Sequence, residues 1–528
     1  MSSFADKISY HLMIITVLAL CILGIGSQYL WTGKLNTTAV GHTMNDQVGY
    51  ITAARNLADS GRLESSLYYP ALLNYYKSHN LLYMPGNYYV RAFFFSIFGY
   101  SIFTAFLPNI LAFIGSAVML FLIAEHLFNK KTAYMSSICF MLFPPVILYT
   151  YSAMMEILFI FFCLLAVFIF LKIPQKVRFL AGGLTLVIPY LIRESTLLLL
   201  PGLTMMIYLD GADRRVLKAL LFVSSSMLLF FFIKRIPFVS DIPPHFTLSL
   251  LNISGLYTDA FAVKDIHLSY LNMLVILLSN AAQNVSSFTR VLFSWKYWPT
   301  GFTFYVMVLV LSFVCMIIVF LNKKINRAFG YFTIITVSIV IAITFSVLMY
   351  FMNSGIRQIL FMVPFLFCLV FYALFTSEIS RRKGLTFFLL AAILASSIFL
   401  FFVSLNNFHN DFVKADAYAQ KCDDFLDSIG VSGASFFVAP HDISLDYVNG
   451  HFPIKWSFIP SNEETLKLLA DKFRIDMLII PNNYGLLHEG KSRAVRSTLL
   501  GGKFVMTNVA FFKDQLYVIY KQNNGKYL

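Results

Sequence analysis

Residues 152–178 read SAMMEILFIFFCLLAVFIFLKIPQKVR, and this stretch decides the class of fold. Residues 152–171 contain a single acidic or basic side chain, Glu156, and basic residues follow them: Lys172, Lys176 and Arg178. About 20 mostly apolar residues are enough for a helix to cross the hydrocarbon core of a bilayer. Because basic linkers favour the cytoplasmic side, the stretch predicts a membrane-spanning helix that ends in the cytoplasm and begins, with Glu156, on the outer side.

Similar apolar runs recur along the whole chain of 528 residues. Apolar residues make up 58% of the sequence and charged residues only 12%, which is about half the usual charged fraction. This composition excludes an ordinary soluble protein, because too few polar residues are present to cover a core. The sequence predicts about eleven transmembrane helices, with approximate spans at 11–31, 100–124, 132–149, 152–171, 179–192, 195–209, 216–233, 302–321, 331–351, 359–375 and 385–404.

Basic residues occupy alternate linkers between these spans. Lys7 precedes the first span, and the basic groups that follow are Lys130 and Lys131; Lys172, Lys176 and Arg178; Arg214, Arg215 and Lys218; Lys323, Lys324 and Arg327; Arg381, Arg382 and Lys383. All of them fall on one side if every span is real, and the positive-inside rule makes that side cytoplasmic. The net charge of +14 is therefore explained by the basic cytoplasmic linkers, and nucleic acid is not expected as a partner. An additional interfacial or re-entrant segment at 270–290 is compatible with this pattern.

The cysteines and the first apolar run carry no sign of secretion as a soluble protein. Five of the six cysteines lie in apolar runs, and Cys422 alone lies outside. No CxxC pair or disulfide framework is evident. The first run lacks a small-residue cleavage site, so it is interpreted as a retained helix.

Three long segments, 32–99, 234–301 and 405–528, fall on the outer side. The last changes composition and is typical of a folded α/β module. A capping box at Ser461–Glu464 predicts a helix, and strand-like runs surround it at 435–439, 475–480 and 515–520. The predicted fold is a polytopic α-helical membrane protein, residues 1–404, with a small C-terminal extracytoplasmic α/β domain, residues 405–528. His441 and His451 are interpreted as loop histidines of that domain.

The first outer segment contains an acid, Asp46, at the start of an amphipathic stretch. Val48, Ile51 and Ala54 share one side of the predicted helix, which would lie flat on the membrane surface and hold Asp46 just above it. Asp is also a favoured N-cap, and Thr43 with Asp46 resembles a capping box. The sequence alone leaves the capping and functional interpretations open.

Cationic side chains occur further along and beside this segment. Arg55 lies on another face of the same predicted helix, and Lys77, His79 and Arg91 place hydrogen-bond donors on the same loop as Asp46. Most aromatic residues between them are typical of an interfacial belt.

Glu156 lies in the first outer turn of its span. The helix dipole mildly stabilises an acid at this position, which is a sufficient structural account. A carboxylate at membrane depth is costly unless it is paired or faces water, so a functional role is the alternative.

Two arginines lie at outer helix ends, against the positive-inside bias. Arg193 and Glu194 share the turn between the fifth and sixth spans, where they could simply pair with each other. Arg357 begins a later span. Both positions favour an anionic partner, and phosphate fits because the guanidinium fork matches its oxygens.

Taken in order, these motifs resemble those of the C-type (GT-C) membrane glycosyltransferases, in the branch of the protein O-mannosyltransferases and the aminoarabinose transferase of lipid A. The resemblance covers roughly residues 1–375. It rests on the first-loop acid and helix at 45–55, the proline-aromatic stretch Met84-Pro85-Gly86-Asn87-Tyr88-Tyr89 that ends at Phe98-Gly99, the acid after the third span in Ser152 to Glu156, and Arg357 ahead of Pro364.

This resemblance implies an inverting transfer of a sugar from a polyprenyl-phosphate donor, on the outer face of the cytoplasmic (inner) membrane. It implies that Asp46 is the general base and that Glu156 positions the acceptor or assists Asp46. Fixed cations would stabilise the departing phosphate, and the residues for this are Arg193, Arg357 and Lys77. His79 and Arg55 would serve the acceptor or the loop.

Two departures from the family pattern concern the metal and the loop. Gln47 follows Asp46, where many relatives have a second acid. A divalent cation prefers several carboxylate oxygens, so a metal is left open as a cofactor. Gly86 replaces the second proline of the motif before the second span. The acceptor is left open among protein, lipid and glycan.

The alternative class is a secondary transporter or lipid flippase. Transporters often show repeated halves and helices that are interrupted near the bilayer midplane, whereas here the unusual charges cluster at the outer face. A polysaccharide polymerase or ligase and a membrane scaffold are further alternatives. A lipid-sugar transfer assay distinguishes a glycosyltransferase from a transporter.

Overall fold

The computed structural model describes residues 2–30, 46–63, 84–210, 214–236, 239, 360–361, 363–376 and 383–428, together with five strands between 437 and 522. The chain divides into two compact units. The first contains Met1–Trp31, Tyr83–Ser240 and Ser279–His409, and the second contains Thr32–Leu82, Asp241–Leu278 and Asn410–Leu528. The predictions for 270–290, 302–321 and 331–351 lie outside the described residues.

The described helices are numbered here in chain order. They are α1 (Ser2–Leu30), α2 (Asp46–Ser60), α3 (Gly86–Phe98), α4 (Ile102–Leu127), α5 (Lys130–Leu142), α6 (Pro144–Thr150), α7 (Glu156–Lys172), α8 (Gln175–Ala181), α9 (Val187–Ile192), α10 (Leu200–Asp210), α11 (Arg215–Lys234), α12 (Val363–Thr376) and α13 (Lys383–Ser428). Two 3-10 segments, Gly182–Leu186 and Glu194–Leu199, interrupt the series.

Among the described residues, four helical segments are long and apolar enough to cross a membrane: Tyr10–Tyr29, Phe103–Leu127, Arg215–Lys234 and Thr386–Asn410. The bent pair α5 and α6, with an angle of 61° between them, counts as a fifth if it forms one span. All five coincide with predicted spans, and the chain is an integral membrane protein. The total of about eleven stays a prediction.

The predicted spans at 179–192 and 195–209 are not continuous α-helices. In the first, α8 gives way to the 3-10 segment Gly182–Leu186 before α9 begins. A Cβ added at Gly182 would lie 2.7 Å from a ring carbon of Phe170, and one at Gly183 would lie 2.7 Å from Ser226 Oγ. The two glycines lower helix propensity and allow close packing against α7 and α11, which explains the break.

The core of the first unit surrounds α7. Ile157, Phe159, Cys163, Val167 and Phe170 on this helix are each at most 1% exposed. The outward faces of other helices are apolar and exposed, as lipid-facing surfaces are: Leu220, Leu228 and Phe232 on α11, and Phe387, Phe388 and Phe399 on α13. Because α7 is enclosed by protein, a charge at its first residue lies at the edge of the core.

The second unit contains α2 and a five-stranded sheet. The strands are β1 (Phe437–Ala439), β2 (Pro453–Lys455), β3 (Met477–Pro481), β4 (Phe504–Phe512) and β5 (Gln515–Gln522), in the order β2-β1-β3-β5-β4. β1 pairs in parallel with β2 and β3, and β5 pairs antiparallel with β3 and β4.

Three of these strands were predicted from the sequence, and β2 and β4 were not. The predicted helix that starts at Ser461 lies outside the described residues, so the α/β class of the tail stays a prediction. α13 continues without a break through residue 404 to Ser428, past the point where the sequence places the start of the soluble domain.

The helix predicted after Asp46 exists, because α2 begins at Asp46. The prediction that it lies on a surface with one face exposed is wrong for its first half. Residues 50–54 are each at most 1% exposed, and five consecutive residues cover more than one full turn. The alanines, Thr52 and Tyr50 fit an enclosed helix, and only the last turn, near Asp59 and Ser60, is exposed.

Candidate active site

A buried ion pair joins the first residue of α7 to the residue that follows α9. Glu156 is 1% exposed and Arg193 is 8% exposed. Arg193 Nη1 lies 3.7 Å from Glu156 Oε1. Of the predicted site residues that the structure describes, these two are brought together, although 36 residues separate them along the chain.

The Arg193 guanidinium keeps donor capacity in this arrangement. The separation of 3.7 Å satisfies an ion pair but exceeds the length of a charge-assisted hydrogen bond, about 2.7–2.9 Å. Its Nε has no hydrogen-bond partner among the described residues. The guanidinium carbon also lies 6.0 Å from the centre of the Phe159 ring, at the limit of a cation–π contact. A guanidinium carries five N–H donors, so Arg193 can bind an anion while it remains paired with Glu156.

Glu194 belongs to a different ion pair. Its carboxylate contacts the ammonium of Lys234 at the end of α11, and the expectation that Arg193 and Glu194 pair with each other is wrong. Arg193 has an extended backbone, with φ −156° and ψ 132°, and successive side chains of extended backbone point in opposite directions. The two pairs bring the start of α7, the end of α9 and the end of α11 to one end of the unit.

A second buried polar cluster joins α3 and α4 to the turn at 151–155 that leads into α7. Arg91 is 0% exposed. It donates to Ala105 O, to Asn109 Oδ1 at 3.3 Å and to Met154 O at 3.0 Å. Arg91 was predicted to be a loop donor beside Asp46. The loop placement is wrong, because Arg91 is an internal residue of α3, whereas its position beside Asp46 stays a prediction.

Asn109, on α4, has its amide directed at the same turn. Nδ2 lies 3.0 Å from Tyr149 O, 2.7 Å from Ser152 O and 2.7 Å from Met154 O, and these three acceptors share its two N–H groups. These carbonyls lie in the last turn of α6 and in the turn between α6 and α7, so they need hydrogen-bond donors from elsewhere. A buried carbonyl that loses its donor costs about 1–3 kcal/mol. Asn109 therefore stabilises the turn that leads to Glu156.

The start of α3 packs closely against the end of α9. A Cβ added at Gly86 would lie 2.8 Å from Leu191 O and 3.0 Å from Ile192 Cγ1. The next residue, Asn87, is 0% exposed, and neither its Oδ1 nor its Nδ2 has a hydrogen-bond partner in the described part of the chain. A buried amide with unused polar atoms thus lies next to the segment that positions Arg193.

The other predicted site residues lie in the second unit or outside the described residues. Asp46 begins α2 in the second unit. Arg55, on the same helix, has its Nε 3.2 Å from Asp59 Oδ2 in an i,i+4 pair whose side chains are 26% and 63% exposed. Such a pair is worth little to stability. Lys77, His79 and Arg357 lie outside the described residues.

Sequence reasoning missed Asn109 and Asn87 as members of the polar clusters. Asn109 follows Pro108 inside an otherwise apolar run from Ala105 to Ile114. A strongly polar side chain within a span has to find partners inside the protein, and that rule was a usable signal. Within the described ranges, no group of three His, Cys, Asp or Glu side chains could hold a metal ion.

The chain is similar to one protein family in part of its sequence and to several solved structures in its fold. Residues 84–238 match the family model described as dolichyl-phosphate-mannose-protein mannosyltransferase. This segment contains both buried clusters. No protein of curated function is detectably similar to the chain in sequence.

Solved structures of two membrane glycosyltransferases share the fold. ArnT from Cupriavidus metallidurans bound to undecaprenyl phosphate has a TM-score of 0.55 and 13% identity over 96% of this chain and 97% of that one. The apo form of ArnT has a TM-score of 0.55 and 14% identity, over 95% and 97% of the two chains. The oligosaccharyltransferase from Archaeoglobus fulgidus, in complex with zinc and sulfate, has a TM-score of 0.52 and 12% identity over 96% of this chain and 73% of that one.

Proposed function

We propose, for a chain with the fold of the GT-C membrane glycosyltransferases, that it moves a sugar from a polyprenyl-phosphate donor to an acceptor hydroxyl on the outer face of the membrane. In this proposal Asp46 is the general base and Glu156 positions the acceptor. Arg193, with Arg357 and Lys77, binds the donor phosphate.

The observation that carries the proposal is the buried pair of Glu156 and Arg193. It lies inside the matched segment 84–238 and at the end of α7 opposite Lys172. The basic residues around Lys172 favour the cytoplasm, so the pair belongs to the outer end. Nucleotide sugars are absent on that side, and a lipid-linked phosphate is the form in which an activated sugar can arrive.

The proposed reaction needs one base and several fixed cations. The acceptor oxygen attacks the anomeric carbon from the face opposite the phosphate and forms the new glycosidic bond. The bond between that carbon and the phosphate oxygen breaks, and its electron pair leaves with the polyprenyl phosphate. The acceptor proton passes to the Asp46 carboxylate, and the cations stabilise the charge that develops on the leaving group.

A donor assay on purified protein in lipid nanodiscs tests the proposal. We expect release of polyprenyl phosphate from at least one polyprenyl-phosphate sugar when outer-face acceptors, such as a membrane-protein extract or lipid A, are supplied. The matching nucleotide sugars should give no transfer. Movement of the intact lipid-linked sugar across liposome membranes, without cleavage of the sugar-phosphate bond, would instead support the flippase alternative.

The alternating basic linkers predict which segments a membrane-impermeant thiol reagent can reach. In a background without the six native cysteines, cysteines introduced near Lys131, Arg214 and Arg382 should stay unlabelled in intact cells, and one near Asn482 should be labelled. Permeabilised cells provide the control, because all four positions should then react. Labelling of both sets in intact cells would contradict the helix count.

A further inference from the structure

We infer that Arg91 and Asn109 are positioning residues, which hold the turn at 151–155 so that Glu156 keeps its place beside Arg193. The expected effect on catalysis rests on the proposed function. The positioning itself rests on the hydrogen bonds of the two side chains. Neither residue is assigned a role by the family resemblance.

The orientation of the Asn109 amide is fixed by Arg91. Arg91 Nη2 donates to Asn109 Oδ1 at 3.3 Å, so the oxygen has to face the arginine and the NH₂ group has to face the turn. There Nδ2 meets the carbonyls of Tyr149, Ser152 and Met154. Met154 O accepts from both side chains, and Met154 lies two residues before Glu156.

The same turn is restrained from further sides. Ser152 Oγ donates to Tyr149 O at 2.8 Å and accepts from Met154 N at 3.3 Å. Tyr151 OH donates to Leu23 O of α1 at 2.5 Å. Contacts from α1, α3 and α4 therefore define the backbone just before α7, and the first residue of α7 takes its position from that backbone.

The separation within the ion pair explains why this restraint matters for chemistry. Arg193 and Glu156 are 3.7 Å apart, so no short hydrogen bond between these two side chains corrects a shift of one against the other. The backbone on both sides therefore contributes to the spacing of the two side chains. A displacement of about 1 Å at a reacting centre can cost about 10²-fold in rate.

Replacement of Asn109 by Leu removes the hydrogen bonds that its amide donates to the turn, and Arg91→Met removes the group that orients the amide. We expect kcat per folded enzyme to fall by about 10²-fold in each variant, with a much smaller change in KM for the donor. Arg91→Lys and Asn109→Ser each keep a donor and should recover part of the rate. These two variants decide the test if the larger changes prevent folding.

Arg178 provides a matched control at the other end of α7. It also donates to main-chain carbonyls, those of Leu171 and Ile173, at 2.9–3.1 Å, but it is remote from Glu156. Arg178→Met should leave kcat per folded enzyme near the wild-type value. An equal loss of kcat in Arg178→Met would show that removal of any side chain that donates to main-chain carbonyls near an end of α7 has this effect. That result would overturn the inference.

A double-mutant cycle separates positioning from general stability. If Asn109 acts through Glu156, the rate loss from Glu156→Gln should be smaller in an Asn109→Leu background than in wild type. Additive losses would overturn the inference.

A second cycle needs no transfer activity. The coupling between Glu156→Gln and Arg193→Met in Tm should shrink when Asn109 is replaced, because the pair is then misaligned. An unchanged coupling would overturn the inference whatever the protein catalyses. A reduced coupling in a protein that transfers no sugar would support the inference and reject the proposed function.

Discussion

Replacement of Asp46 by asparagine is expected to lower the rate of sugar transfer by about 10²–10⁴-fold, which is the usual contribution of general base catalysis. Asparagine is almost the same size as aspartate and is equally good at a helix start, so α2, which begins at this residue, should persist. The measurement is transfer from a polyprenyl-phosphate sugar by purified wild type and Asp46→Asn, with thermal unfolding as the control for folding.

Asp46→Glu sharpens the test. It keeps the charge but moves it by one methylene, and a base has to lie within hydrogen-bond reach of the proton that it accepts. We expect this variant to be impaired as well. Full activity of a stable Asp46→Asn protein would instead favour the capping interpretation and remove the base from the proposed mechanism.

Removal of the Arg193 charge should have the largest effect on stability. Arg193→Met removes the positive charge that lies 3.7 Å from the Glu156 carboxylate, which is 1% exposed. Breaking a buried pair in this way typically costs about 3–5 kcal/mol. We expect a clear fall in Tm, measured in detergent or nanodiscs, together with loss of donor use.

The double variant separates stability from chemistry. Arg193→Met combined with Glu156→Gln removes both charges, so Tm should return towards the wild-type value, whereas transfer should stay impaired. A double variant as unstable as Arg193→Met alone would mean that the charge of Glu156 is not what destabilises the single variant. Recovery of transfer together with Tm would mean that Arg193 has no role beyond neutralising Glu156.

The spans that sequence reasoning predicted best depend on local composition. The runs that became α1, α4 and α11 are long and apolar, because a helix in lipid has to present apolar side chains to its solvent. Residues 179–192 are not one continuous α-helix, since Gly182 and Gly183 pack against other helices and their effect depends on tertiary contacts that no local pattern contains.

The candidate site was predictable only in part for the same reason. Glu156 and Arg193 each attracted attention as charges at helix ends, but local sequence offered Glu194 as the partner of Arg193. The actual partners, Glu156 for Arg193 and Lys234 for Glu194, come from separate helices. Arg91 was noticed as a donor but assigned to a loop, and its acceptors on α4 and in the turn at 151–155 were not predicted because these contacts are long-range.

The close approach at Gly86 has a consequence for any attempt to graft motifs between this chain and its relatives. The family motif that the sequence of this segment resembles has a proline at the position of Gly86. A Cβ there would lie 2.8 Å from Leu191 O, a spacing that the backbone carbonyl cannot accommodate without moving. A transplanted proline would therefore act as a wedge, which separates α3 from the segment that carries Arg193. Chimaeras that exchange the motif will need the matching residues 191–193 from the same parent. The two segments therefore have to be exchanged together, although about a hundred residues of chain lie between them.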